Sequence, residues 1–378
     1  MISREIIPAI LNQAGKGKVI ILVGPRQVGK TTLLKNIAEE YGENVLWLNA
    51  DETDIRISLE KTTSTRLKNL FGKHKLVIID EAQSVENIGK TLKLAADTLK
   101  NIQVIATGSS AFELRNRSNE PLTGRKKEFL LFPVSVNEMY RHHGRTEEKR
   151  LLEQRMIYGL YPEVINHPGE EQQTLRELVS SYLYKDMLLA DGLRKSSIIE
   201  KLTQALALQL GNEVSYHELG QLLGGVDHST VEKYIDMLEK AYIIYRLPAL
   251  SRNLRNELKK GKKIYFWDNG VRNAIIKNFN PLTLRNDTGA LWENFMITER
   301  IKNNHYKGKW VNHYFWRTFA QQEVDYIEEY EGKFHAYEMK WNPKKKIKFP
   351  KTFSAAYPGS IQKIISPDTM DDFMDGKI

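Results

Sequence analysis

Val19-Ile20-Ile21-Leu22-Val23-Gly24-Pro25-Arg26-Gln27-Val28-Gly29-Lys30-Thr31-Thr32 is the stretch whose reading decides the fold. Its first five residues are an unbroken aliphatic run, the pattern of a strand buried on both faces. The next eight read G-x-x-x-x-G-K-T, and Leu33, Leu34, Ile37 and Ala38 follow at helical spacing. Strand, glycine loop and helix in that order form the context in which this pattern holds phosphate. Gly24 and Gly29 let the backbone fold around an anion with no Cβ in the way. Successive amides and the helix N-terminus then face the negative charge. Lys30 is expected to reach the β and γ phosphates, and Thr31 to offer its hydroxyl to Mg²⁺. Pro25, Arg26, Gln27, Val28 and Thr32 complete the expected nucleotide-binding segment.

Working outward, Val45–Leu48, Leu76–Ile79 and Val104–Ala106 are further apolar runs separated by helical patterns. That alternation predicts an α/β domain with a parallel sheet covered by helices. Leu76-Val77-Ile78-Ile79 ends in Asp80-Glu81, a Walker B pattern that delivers carboxylates at the C-terminal edge of a buried strand. Asp80 is expected to hold Mg²⁺, and Glu81 to orient or activate the attacking water. Val104-Ile105-Ala106 runs into Thr107-Gly108-Ser109-Ser110, where either Thr107 or Ser109 could sense the γ phosphate. Arg125 in Gly124-Arg125 has three readings: it contacts its own nucleotide, it reaches a neighbour's as an arginine finger, or it makes a structural ion pair.

These motifs, together with Asp80-Glu81-Ala82-Gln83 and Phe132-Pro133-Val134-Ser135-Val136-Asn137-Glu138, occur in one characteristic order. In that order the chain resembles the prokaryotic AAA-like ATPases that carry a C-terminal domain of unknown function. The resemblance covers essentially the whole chain. It implies an ATPase core of AAA or STAND type and supplies no substrate.

The 378 residues suggest two or three domains at about 100–200 residues each. Three blocks follow from pattern: 1–140, the ATPase domain; 141–250, mostly helical; and 251–378, mixed α/β. No apolar run approaches the roughly 18–20 residues that span a bilayer, and Met1-Ile2-Ser3-Arg4-Glu5 opens no signal-peptide pattern. Cysteine is absent, which excludes disulfides, thiol catalysis and cysteine zinc sites. A cytoplasmic location is the expectation. The net charge of +9 is concentrated in residues 251–378, where 23 Lys and Arg face 15 Asp and Glu. Such a basic third suits a polyanion such as DNA.

In the middle block, Ser196–Leu210, Tyr216–Leu223 and Ser229–Ala241 read as helices, with Gly224-Gly225-Val226 as a tight turn and Tyr242–Leu247 as a β-prone tail. The arrangement resembles a winged helix. Its third helix presents His228, Ser229, Thr230, Glu232 and Lys233 near its start. Asp227, Glu232, Asp236 and Glu239 make that helix acidic for a DNA reader.

In the last block, Glu293 lies in a helix, Asp325 in Gln322-Glu323-Val324-Asp325, and Glu338-Met339-Lys340 in a β-prone run. Alternation puts Glu338 and Lys340 on one face, and hairpin pairing brings Asp325 beside them. The set resembles the PD-(D/E)XK nuclease core, with Val324 where the full motif has proline. That resemblance implies Mg²⁺ held by Glu293, Asp325 and Glu338, with Glu338 and Lys340 in the catalytic set. Lys344, Lys345, Lys346, Lys348 and Lys351 are candidate contacts to a phosphate backbone. A surface hairpin with alternating charges is the plain alternative. Asp268 and Gly270 read most simply as a turn. Trp47, Tyr182 and Trp310 are expected in cores, and His142-His143 is not a metal spacing.

The sequence thus predicts a Mg²⁺-dependent ATP hydrolase coupled to a DNA-binding or DNA-cutting module. The alternative is an ATP-controlled switch whose nuclease-like domain is inactive and binds DNA or protein. Homo-oligomers are compatible with either, and a membrane partner is not expected.

Overall fold

The computed structural model describes residues 2–108, 122–180, 196–251, 261–342 and 348–377. They fall into two compact units, Met1–Pro133 with Lys240–Tyr242, and Val134–Glu239 with Ile243–Ile378.

The first unit is built on five parallel strands: β1 (Val19–Val23), β2 (Val45–Asn49), β3 (Leu76–Asp80), β4 (Gln103–Gly108) and β5 (Lys126–Leu130). Their spatial order is β2-β3-β4-β1-β5. Every residue of β1, β3 and β4 is buried, as strands covered on both faces require. The edge strands β2 and β5 are only partly buried, so Trp47 is half-covered rather than a core residue. The helix Lys30–Glu39 packs Leu33, Leu34 and Ile37 inward. β4 lies between β1 and β3, paired Leu22↔Thr107 on one side and Ile79↔Ala106 on the other. Strand order therefore delivers Thr107 between the glycine loop and Asp80.

The second unit is largely helical before residue 241. Ser196–Leu208, Tyr216–Leu222 and His228–Lys240 are helices, close to the expected bounds. β6 (Glu213–Val214), β7 (Ile244–Pro248) and β8 (Lys262–Phe266) form an antiparallel sheet in the order β6-β8-β7. The acidic side of the third helix is taken up within the unit: Arg246 pairs with Asp236 at 2.7 Å and with Glu239.

A second sheet orders β12 (Ile361–Ile365), β11 (Lys333–Met339), β10 (Glu323–Tyr330) and β9 (Asn312–Arg317). β9, β10 and β11 are antiparallel and β12 runs parallel to β11. The helix Thr288–Tyr306 is buried around most of its circumference. It therefore has no clean apolar stripe, and inward polar groups such as Asn294, Glu299 and Arg300 are partnered instead. Asn294 accepts from Phe266 N at 2.8 Å and donates to Phe266 O at 3.0 Å, fixing the helix to the end of β8. Trp310, expected in a core, is 97% exposed just beyond this helix. Tyr182 lies outside the described residues. Among the described residues no helix is long and apolar enough to cross a membrane.

Candidate functional site

The loop after β1 turns back on itself at Gly24, where a Cβ would lie 2.2 Å from Leu131 O. Only glycine allows that approach. Gln27 and Gly29 take left-handed φ of 58° and 89°. The Lys30 ammonium donates to Gly24 O at 3.0 Å and Pro25 O at 2.8 Å, so it lies across the mouth of its own loop. Thr31 Oγ1 donates to Asp80 Oδ2 at 2.9 Å. Thr107 Oγ1 donates to Asp80 Oδ1 at 2.6 Å and accepts from Glu81 N at 2.9 Å. Glu81 has a left-handed φ of 51°, and Gln83 Nε2 donates to its carboxylate.

One strand order thus brings Lys30, Thr31, Asp80, Glu81 and Thr107 to one sheet edge. A threonine hydroxyl bonded to a buried aspartate is an oxygen donor set that suits Mg²⁺. Arg4, which motif reasoning missed, braces the loop from beneath. Its guanidinium is buried and donates to Val28 O at 2.7 Å and Phe132 O at 2.6 Å. No local signal marks it, because its partners lie 24 and 128 residues away.

Arg125 is not brought to this edge. It immediately precedes β5, whose Lys126 pairs with Val19 at the start of β1, whereas the glycine loop follows the end of β1. The length of a five-residue strand, roughly 16 Å, separates the two ends. Its side chain pairs with Asp97 at 2.6 Å, so contact with the chain's own nucleotide is replaced by the structural ion pair. Ser109 and Ser110 lie outside the described residues.

The second constellation lies in the C-terminal unit. β10 and β11 pair with Tyr326 opposite Tyr337, which sets Asp325 beside Glu338. Lys340 Nζ lies 3.1 Å from Glu338 Oε2 and 3.4 Å from Asp325 Oδ2. Met339 N donates to Asp325 Oδ2 at 2.8 Å. Glu293 joins from the helix Thr288–Tyr306, accepting from Tyr265 Oη at 2.5 Å and from Lys263 Nζ at 3.0 Å. Lys263, 1% exposed, also pairs with Glu323. Lys263 and Tyr265 alternate on β8, and nothing in the sequence tied that strand to Glu293.

Burial pushes the Glu293 carboxyl up to about 7, against the pull of Lys263 and with the push of Asp325. Burial and Asp325 raise Glu338 to about 7 against Lys340. Among the described residues no three His, Asp or Glu side chains are grouped as a metal ion requires. The carboxylates expected to hold Mg²⁺ are engaged by ammonium groups, Glu293 by Lys263 and Asp325 with Glu338 by Lys340.

Two other motifs are structural. Asp268 is buried, caps the helix Asn269–Ile275 through Val271 N at 3.0 Å and accepts from Leu160 N at 2.7 Å. Ser135 and Glu138 form a reciprocal capping box at the start of the helix Val136–His143. Lys348 and Lys351 are exposed, whereas Lys344, Lys345 and Lys346 lie outside the described residues.

Residues 16–140 match an AAA domain, residues 149–282 a domain of unknown function (DUF8612) and residues 288–375 another (DUF4143). An uncharacterized protein of Mycobacterium tuberculosis is 24% identical over 348 residues, covering 90% of this chain and 74% of that protein. One from Haemophilus influenzae is 25% identical over 306 residues, covering 73% of this chain and 74% of that one. The Walker-type ATPase of Pyrococcus abyssi shares the fold at TM-score 0.51 and 16% identity, over 73% of this chain and 96% of that one. The chain therefore carries an AAA-type P-loop ATPase domain followed by a DUF4143 C-terminal domain.

Proposed function

We propose that the protein is a Mg²⁺-dependent ATP hydrolase that controls a DNA-binding C-terminal module. The observation that carries the ATPase reading is the Thr31–Asp80–Thr107 hydrogen-bond chain beside the Lys30 loop. Thr31 and Asp80 would hold Mg²⁺, which would supply positive charge to the phosphates. Lys30 exchanges its loop carbonyls for those phosphates. The loop amides from Arg26 to Thr32 follow the phosphate chain, and Glu81, steadied by Gln83, orients the attacking water. Thr107 keeps Asp80 turned toward Thr31.

The DNA reading rests on the excess of eight positive charges after residue 250 and on the exposed Lys348 and Lys351. The helix order and the three-stranded β6-β8-β7 sheet support a winged-helix reading of the middle block. The lysine-held carboxylates favour a module that binds over one that cuts. Asp325, Glu338 and Lys340 stay the residues to test for cleavage.

The deciding experiment measures phosphate release and oligonucleotide retention together. Lys30→Ala is expected to lower the hydrolysis rate by on the order of 10²–10³ while leaving a folded protein. Hydrolysis unchanged in Lys30→Ala removes the ATPase reading. DNA cleavage by the wild type, lost in Lys340→Ala, replaces the binding module with a nuclease.

A further inference from the structure

The C-terminal carboxylate centre gathers negative charge from three elements: Glu293 on a helix, Glu323 and Asp325 on β10, and Glu338 on β11. Two ammonium groups answer it from within the chain. Lys340 bridges Asp325 and Glu338 at 3.4 and 3.1 Å. Lys263 enters from a different sheet, on β8, with its Nζ 3.0 Å from Glu293 and paired with Glu323. The same ammonium lies 5.5 Å from the centre of the Phe315 ring, so its other side is closed by an aromatic face. The place between Glu293 and Glu323 is thus already filled by a buried positive charge, and a divalent ion entering there must displace it.

We propose that Lys263 is the resident counter-cation of this centre. Its ammonium takes the place among the carboxylates that a metal-dependent phosphodiesterase gives to a divalent ion, and the centre serves as a joint between β8, the helix Thr288–Tyr306 and β10. The inference rests on reading Glu293, Asp325, Glu338 and Lys340 as a nuclease-like constellation, and it deepens the binding-module reading by assigning the residue that keeps metal out.

The test is a Mn²⁺ titration of the full chain without nucleotide, followed by the electron paramagnetic resonance signal of free Mn²⁺. A Thr31→Ala background weakens cation binding at the glycine loop. That parent is expected to take up no Mn²⁺ that Asp325→Asn removes. Adding Lys263→Met is expected to create a site of one Mn²⁺ per chain, about tenfold or more tighter than anything in the parent, and Asp325→Asn is expected to abolish it. Stoichiometric Mn²⁺ uptake by the parent, lost with Asp325→Asn, overturns the proposal. So does a folded Lys263→Met protein that gains no site. Should Lys263→Met not fold, the smaller change Glu323→Gln decides. It removes one partner of Lys263 and leaves the ammonium in place, so new Mn²⁺ uptake in that variant also overturns the proposal. Phosphate release and oligonucleotide retention, measured on the same samples, report separately on the ATPase and DNA-binding readings.

Discussion

At Gly24 the first strand turns into the glycine loop beneath the carbonyl of Leu131, 2.2 Å from where a Cβ would stand. Gly24→Ala forces one of the two backbones to move. The expected cost is about 2–4 kcal/mol of stability, with loss of nucleotide binding, read by thermal melts with and without ATP. Arg4 acts on the same loop through Val28 O. Arg4→Ala removes this donor to Val28 O and Phe132 O, and KM for ATP is expected to rise severalfold with a smaller change in kcat. Asp268 supplies the opposite control. Asp268→Ala removes the acceptor for Val271 N and Leu160 N, costing about 1–3 kcal/mol while ATP turnover per folded molecule stays unchanged. Lost turnover in a folded Asp268→Ala protein would assign Asp268 an active-site role. The loop was legible in the sequence because its chemistry is contiguous. Arg4 was not, since its partners are defined only by the closed fold.

Among the elements, the helix Asn269–Ile275 is tied to the segment before the helix Thr288–Tyr306 by Asp287. Burial opposes its charge, but hydrogen bonds from Arg285 at 2.8 Å and Arg272 at 2.5 Å outweigh burial and hold the carboxyl at about 2. An aspartate in an unfolded chain titrates near 4. The folded value is depressed, so the stabilisation is complete above about pH 4 and is lost as pH falls toward 2. It amounts to about 2 kcal/mol. Asp287→Asn is expected to flatten the acid limb of a stability-versus-pH curve over that window. A wild-type curve already flat there would count against the depressed carboxyl. Period-two alternation was enough to put Glu338 beside Lys340, and hairpin pairing brought Asp325 to them. What alternation does not encode is which strand of another sheet approaches Glu293. That choice depends on helix packing, and it is why Lys263 went unnoticed. Arg125 shows the same limit: its place on the far edge of the sheet follows from parallel register, which no local spacing states.

For the whole molecule, the excess of positive charge after residue 250 makes a prediction that single contacts do not. If DNA is held by its phosphates, the logarithm of the affinity falls linearly with the logarithm of salt concentration. The double variant Lys348→Glu, Lys351→Glu is then expected to weaken binding about tenfold at low salt and to reduce that slope by about 2. Affinity that ignores both salt and these substitutions removes the polyanion reading. The parallel sheet and the order of the three middle helices could be read from periodicity. The separation into two compact units, with residues 134–239 and 243–378 forming one of them, could not, because the polar segment after residue 140 is the end of the helix Val136–His143 and the helix Arg145–Arg150, and not a linker.

The Lys30 ammonium is already engaged by two carbonyls of its own loop. Two of the three donors of that ammonium are thus committed to its own loop. An incoming ligand competes for them by offering a better acceptor, and a charged phosphate oxygen is a stronger one than a peptide carbonyl. A nucleoside, or a monophosphate too short to reach Lys30, offers nothing to exchange. If ATP is the ligand, a preference for longer phosphate chains would follow from that competition with the Gly24 and Pro25 carbonyls.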